Sequence, residues 1–204
     1  MPAQPRRPPA NDVVLAGAAC RLRPYRLDDV EALRATADDP LVSRWMTASF
    51  PSPYTRDDAR GWVAGVLADP VPQHFVIEVG GAFAGAAGVM ALGGEHRGVA
   101  TFGYWLGRAY WGRGIATDAA RTLARYGLGP CGFRRLEAAV FAPNVASARV
   151  LEKCGFTLEA RMRDSYLQRD GSICDGLFYA RLSWDPEPPP NSPQLVAPRR
   201  DTPR

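Results

Sequence analysis

The sequence predicts an α/β layered fold, a mixed sheet with helices on its faces, and three observations lead there. Segments with apolar residues at alternate positions interchange with segments at helical spacing along the chain. The stretch Tyr104 to Thr117 reads as a strand, a glycine-bearing loop and the start of a helix. A length of 204 residues at 46% hydrophobic and 23% charged supplies one core of ordinary domain size.

Taken in order, Cys20 to Pro24 alternates and predicts a short first strand. Leu27 to Ala37 places Val30, Leu33 and Ala37 at helical spacing, and Asp39-Pro40 opens a short helix, because proline is tolerated in a first turn. Thr55 with Asp57 and Asp58 caps a helix through Trp62, Val63, Val66 and Leu67. Gln73 to Val79 and Ala82 to Leu92 read as strands joined at Gly80-Gly81. Ala100 to Leu106 is a further strand of aromatic and β-favouring residues. Thr117 to Leu128 is helical and stops at Gly129-Pro130. Leu136 to Phe141 is a strand, Asn144 to Cys154 a helix ended by Gly155, and two strands follow around Asp170-Gly171.

Proline marks the boundaries: four of 19 fall in residues 1–10 and seven in 186–204. Both ends lack apolar periodicity, so residues 1–12 are expected to be a disordered N-terminal arm and 186–204 a Pro-rich disordered tail around a single domain at 13–185. The net charge is +4; Arg6 and Arg7 carry two of those charges and the stretch from Pro186 onward one, which leaves the core near neutral. A nucleic-acid binder concentrates basicity on its folded surface, so no nucleic-acid partner is expected. The longest charge-free stretch, between Glu78 and Glu95, has 16 residues with six glycines, too short and broken for a membrane span. The N-terminus has no apolar segment after its two arginines and reads against a secretory signal. Cys20, Cys131, Cys154 and Cys174 form no CxxC pair, and His74 and His96 are the only histidines, so no metal site is expected. Reduced thiols in a cytoplasmic protein fit that pattern.

The chemistry is expected between Tyr104 and Thr117. Gly112 and Gly114 let the backbone bend tightly and approach a ligand. The amides of Gly112, Arg113, Gly114, Ile115, Ala116 and Thr117 then sit at a helix N-terminus, where unpaired N–H groups and the helix dipole favour a phosphate or pyrophosphate. A plain strand-to-helix turn with glycines for steric reasons explains the same spacing. Neither GxxxxGK[ST] nor GxGxxG is present, so the loop is neither an ATP-binding P-loop nor a dinucleotide fingerprint.

Trp111-Gly-Arg-Gly-Ile-Ala116 resembles the Q/R-x-x-G-x-G/A loop of the GNAT superfamily of acetyl-CoA-dependent acyltransferases, with Trp111 in place of Gln or Arg. FPSPYTRDDARGWV (50–63), GYWLGRAYWGRGIATDA (103–119), NVASARVLEKCGF (144–156) and DGSICDGLFYARL (170–182) together resemble its RimJ/RimL-like, ribosomal-protein-alanine N-acetyltransferase branch, over about Cys20 to Asp185. The resemblance implies a mostly antiparallel mixed sheet of about seven strands and an N-acetyltransferase that uses acetyl-CoA. It places the coenzyme pyrophosphate on the amides of Gly112 to Thr117 and the pantetheine arm along Trp105, Leu106 and Gly107. An N–H near Tyr104 to Leu106 would serve as oxyanion donor. Arg113 either adds charge beside the phosphates or is a solvated surface cation.

Asn144 is a natural helix N-cap, and the resemblance adds that it and Ser147 face the coenzyme. Leu151 stands where many relatives outside this branch carry a tyrosine that protonates the departing thiolate. That leaves Ser147 as acid or hydrogen-bond donor to the sulfur, or as a cap-region serine without a catalytic part. Thr101 stands where relatives often carry a glutamate and cannot act as a base; Glu95, His96, Asp164, Tyr166 or water remain. His96 also reads as an exposed loop residue. The acceptor is expected to be a protein N-terminus or a small-molecule amine, and the protein a monomer or homodimer. Loss of catalysis with retention of coenzyme binding is the rival expectation; acetyl transfer to a panel of amines separates the two. Asp28, Asp29, Asp38, Asp39, Asp57 and Asp58 read mostly as caps and solvated positions.

Overall fold

The computed structural model describes residues 13–69, 71 and 73–189. Eight strands form one sheet: β1 (Leu15–Ala16), β2 (Arg21–Arg23), β3 (His74–Val79), β4 (Ala82–Ala91), β5 (Val99–Leu106), β6 (Arg135–Phe141), β7 (Thr157–Leu167) and β8 (Ile173–Leu182). Five helices accompany them: α1 (Val30–Ala37), α2 (Pro40–Ser43), α3 (Arg56–Ala68), α4 (Ile115–Leu128) and α5 (Val145–Lys153). The sheet order is β1-β2-β3-β4-β5-β6-β8-β7, antiparallel except where β5 meets β6. The strand beyond the seven expected is β1, only two residues long.

Local chemistry sets the element ends. The Thr55 hydroxyl accepts from the Asp58 N–H at 3.2 Å while the Asp58 carboxylate accepts from the Thr55 N–H at 2.8 Å, a capping box that starts α3. Asp39 caps α2 by accepting from the Leu41 N–H at 2.8 Å. Leu27 to Ala37 divides into a 3-10 turn, Leu27–Asp29, and then α1. Asp29 is the cap that the sequence suggests, its carboxylate accepting from the Arg26 N–H at 2.7 Å, but it is not solvated. It is 5% exposed and takes both terminal nitrogens of the buried Arg23, at 2.7 and 2.8 Å, while Glu78 takes the Arg23 Nε.

The period-two alternation of the strands sorts side chains into two cores. Phe75 and Ile77 of β3 pack with Leu123 and Tyr126 of α4, whereas Val76 packs with Leu33 of α1 and Val63 of α3. Among the described residues, Glu187 accepts from Arg181 and from Arg125 (2.8 Å), so contacts continue two residues past the expected boundary at Asp185. The expectation for residues 1–12 and for 190–204 lies outside the described residues.

One discontinuity in the sheet positions the candidate site. β4 pairs with β5 from Ala91↔Ala100 through Gly85↔Leu106. β5 pairs with β6 only at Val99↔Arg135, Ala100↔Leu136 and Thr101↔Glu137. Beyond that point β5 follows β4 and β6 follows β8 as far as Phe141↔Gly176, so the two strands part into a wedge that opens toward Leu106 and Phe141.

Candidate active site at the wedge between two strands

The wedge exposes backbone of β5. Gly107 N–H bonds the Ala84 carbonyl at 2.9 Å, which fixes the ladder register. By the alternation of an antiparallel ladder, the N–H and C=O of Trp105 also face β4, and those of Tyr104 and Leu106 face the wedge. Of the three residues expected to pair with an extended ligand, only Leu106 therefore turns its backbone that way, joined by Tyr104. The Leu106 carbonyl already accepts from the Trp111 indole N–H at 2.8 Å. Tyr104 N–H, Tyr104 C=O and Leu106 N–H remain for a ligand rich in amides.

The loop after β5 turns through Arg108–Tyr110 and then through Gly112 and Gly114, both at positive φ (71° and 75°). Gly114 is the N-cap of α4, without any side-chain cap, so the first-turn amides stay open. A Cβ at either glycine would meet nothing within 4 Å, so these residues serve the backbone conformation and no crowding demands them. Trp111, Gly112, Arg113 and Gly114 are exposed, Ile115 is buried, and Ala116 and Thr117 are half-buried. Arg113 lies over the Tyr110 ring at 5.8 Å, beside the open amides. Further along the first turn, the Asp118 carboxylate accepts from the N–H groups of Ala18, Ala19 and Cys20 at 2.7–3.1 Å, anchoring the β1–β2 loop to α4.

Across the wedge, Asn144 caps α5, its side chain accepting from Ser147 N–H at 3.2 Å. Ser147 in turn meets Tyr104: the tyrosine hydroxyl lies 3.1 Å from both the Ser147 carbonyl oxygen and Ser147 Oγ. Burial raises the Tyr104 phenol well above its ordinary value, against the opposing Ser147 hydrogen bond. Tyr104 was missed as a side chain in the sequence, because 43 residues separate it from Ser147. The usable signal was phase, since Phe102 and Tyr104 share the strand face that α4 and α5 cover. Leu151 is 1% exposed, a core residue.

The opposite face of the wedge is aromatic. Trp105 packs on Phe50 and Phe83 with ring centroids 5.6 and 6.1 Å away, and Phe141 packs on Tyr166 at 4.6 Å. Arg169, in the β7–β8 turn, donates to the carbonyls of Ser43 (2.8 Å), Thr47 (3.0 Å) and Phe50, which pins the segment carrying Phe50 against that face.

The structure separates the candidate bases. Glu95 and His96 sit in the turn that precedes β5, at the end of the strand remote from the wedge. Tyr166 is beside the wedge rim, with a phenol that burial raises. Asp164 N–H bonds the Asp175 carboxylate at 3.0 Å within the β7–β8 pair. Thr101 is the register partner of Glu137, whose carboxylate accepts from Arg135 Nε at 2.6 Å. Burial pushes the thiols of Cys20 and Cys154 up to about 12 and about 11, and raises that of Cys131. Among the described residues, no group of three or more His, Cys, Asp or Glu could hold a metal ion, and no helix is long and apolar enough to cross a membrane.

Comparison with known proteins places the chain in a family. Residues 20–157 match the family model "Acetyltransferase (GNAT) domain". A Bacillus licheniformis protein described as an uncharacterized N-acetyltransferase, p20, is 27% identical over 164 residues, covering 79% of this chain and 91% of its own. Among solved structures, a GNAT-family acetyltransferase from Bacillus anthracis superposes with a TM-score of 0.73 at 22% identity, over 84% of this chain and 99% of its own. Mycobacterium smegmatis RimJ, in complex with a CoA-disulfide, gives a TM-score of 0.71 at 26% identity, over 88% of this chain and 90% of its own. The chain belongs to the GNAT family of acetyltransferases, with RimJ-type enzymes among its structural neighbours.

Proposed function

We propose that this protein transfers an acetyl group from acetyl-CoA to a primary amine by direct attack, with the thioester seated in the wedge between β5 and β6. The observation that carries the reading is the convergence there of free β5 backbone at Tyr104 and Leu106, open amides at Gly112 to Thr117 and the Ser147 hydroxyl.

The pyrophosphate sits at the N-terminus of α4, where charge-assisted hydrogen bonds from backbone N–H groups hold it beside Arg113. The pantetheine amides extend β5 along the wedge. The amine lone pair attacks the thioester carbonyl carbon, a C–N bond forms, and the carbonyl electron pair moves to oxygen. The N–H of Tyr104 or Leu106 stabilises that oxyanion. Collapse expels the thiolate, which accepts a hydrogen bond from Ser147, and the proton released by nitrogen ends on sulfur. Direct attack agrees with the three buried cysteines, since Cys20, Cys131 and Cys154 are held as thiols and make poor nucleophiles.

Thr101 cannot take the ammonium proton, Glu95 and His96 lie at the far end of β5, and burial keeps the Tyr166 phenol protonated, so an acceptor that supplies its own neutral fraction fits the site best. A protein N-terminal amine with a pKa of about 7.7–8.0 does so near neutral pH, whereas a lysine at about 10.4 is almost wholly charged. The acceptor is therefore a protein N-terminus or a small amine of comparable basicity. The test is release of free thiol from acetyl-CoA with peptides bearing free N-termini, lysine and polyamines. Turnover should be fastest with the α-amines and should rise with pH through the acceptor pKa. Coenzyme binding without thiol release from any amine would make the protein a coenzyme-binding relative instead.

A further inference from the structure

We propose that Tyr104 is a positioning residue that sets which way the Ser147 hydroxyl hydrogen points, holding it toward the departing sulfur during acetyl transfer. This rests on the assignment of Ser147 as donor to the sulfur.

The geometry is a three-atom junction. Tyr104 Oη lies 3.1 Å from the Ser147 carbonyl oxygen and 3.1 Å from Ser147 Oγ, so its single proton has two acceptors within reach. With the proton on the carbonyl, Tyr104 Oη is left to accept from Ser147, and the serine hydrogen is taken up by the tyrosine. With the proton on Oγ, the serine keeps its own hydrogen for another acceptor. A thiolate forming in the wedge is such an acceptor, and it favours the second arrangement as negative charge grows on sulfur. The Tyr104 proton then reinforces the polarised Oγ, as neighbouring hydrogen bonds do in a chain.

No proton leaves Tyr104 in this scheme. Burial raises its phenol far above neutral, so it stays a donor throughout. Serine supplies a hydrogen bond, and the proton that ends on sulfur is the one released by the attacking nitrogen, so the balance of the reaction is unchanged.

The junction is also braced. Tyr104 is edge-on to Phe102 at 6.2 Å on the strand, and Ser147 is fixed in the first turn of α5 by the Asn144 cap. Tyr104 stands three residues past Thr101, the last residue of β5 paired to β6, so its hydroxyl ties β5 to the first turn of α5 where the ladder no longer joins the two strands.

The experiment is a double-mutant cycle on the full chain with Tyr104→Phe, Ser147→Ala and the double variant, measuring kcat, acetyl-CoA KM, CoA affinity and melting temperature. Tyr104→Phe should lower kcat roughly tenfold, part of the roughly hundredfold or more that loss of one preorganised hydrogen-bond donor to a developing charge costs, and leave KM and CoA affinity within about twofold. The double variant should be no slower than Ser147→Ala, because Tyr104 acts only through that hydroxyl. A lowered melting temperature with normal kcat in Tyr104→Phe, or independent losses that multiply in the double variant, would overturn the role of Tyr104 and leave Ser147 standing. Normal kcat in Ser147→Ala would overturn both assignments. If Tyr104→Phe does not fold, Tyr104→Met carries the same expectation, and failure of both to fold would make Tyr104 a structural brace and overturn the proposal.

Discussion

Replacing Gly114 with valine isolates the backbone contribution of the glycine loop. Gly114 sits at φ 75°, ψ −5° as the N-cap of α4, and a Cβ there meets nothing within 4 Å. A collision with neighbouring protein atoms is therefore absent, and what remains is conformational. A β-branched residue held at positive φ costs about 1–3 kcal/mol. The protein can absorb that in two ways. If the loop keeps its shape, the loss appears in stability, at roughly 2–4 °C of melting temperature per kcal/mol for a domain of this size. If φ turns negative, the amides rotate away and the loss appears in binding, at about 1–3 kcal/mol for missing charge-assisted hydrogen bonds, or roughly 5- to 150-fold in CoA affinity. Gly61 is the control: it lies within α3, exposed, at ordinary helical φ, and an added Cβ again meets nothing. Gly61→Ala should stabilise by about 0.5–1 kcal/mol and leave CoA binding alone. Calorimetric titration with CoA and a thermal melt on each variant read both routes. Gly114→Val with unchanged affinity and unchanged melting temperature would refute the left-handed geometry at this position.

Two further outcomes test the frame that holds the wedge. Arg181 is 3% exposed and bonds Glu187 through one terminal nitrogen, so a chain ending at Asp185 should lose about 1–3 kcal/mol relative to one ending at Pro189, the half-exposed Glu187 moderating the cost; equal melts would refute the contact. Burial pushes the Glu78 carboxyl up, but the hydrogen bonds and charges of Arg21 and Arg23 outweigh it and hold the group below its ordinary 4.5. Its ionisation therefore stabilises the fold fully above about pH 4.5 and progressively less as pH falls through the lower folded value. Glu78→Gln should cost about 2–4 kcal/mol near neutral pH with the gap narrowing as pH falls below the ordinary carboxyl value, and a gap that instead widens on acidification would contradict the assignment.

What the sequence made legible follows from how local each determinant is. The Thr55–Asp58 box, the Asn144 cap and the positive-φ glycines at 112 and 114 are settled within a few residues, and the structure has all of them. β1 has two residues and no period to detect. The Tyr104–Ser147 junction and the Trp111 indole on the Leu106 carbonyl depend on which way a strand face or a loop turns. The remoteness of Glu95 and His96 from the wedge follows from the direction of β5, which composition does not carry. Glu187 lay in a proline-rich stretch, where its pairing with a buried arginine left no local mark. Asp29 resembled its solvated neighbours because its partner is a buried arginine, Arg23 of β2, which is itself paired with Glu78 of β3.

The most direct test of the wedge as the coenzyme site is amide hydrogen exchange with and without saturating CoA. Exchange should slow at the amides of Tyr104 and Leu106 and at those of Gly112 to Thr117, because bound pantetheine and pyrophosphate oxygens would accept from them. The turn at Gly94–His96, at the far end of β5, should exchange unchanged. Protection confined to other surfaces, with residues 104–106 and 112–117 exchanging as in the free protein, would contradict the placement of the coenzyme in the wedge.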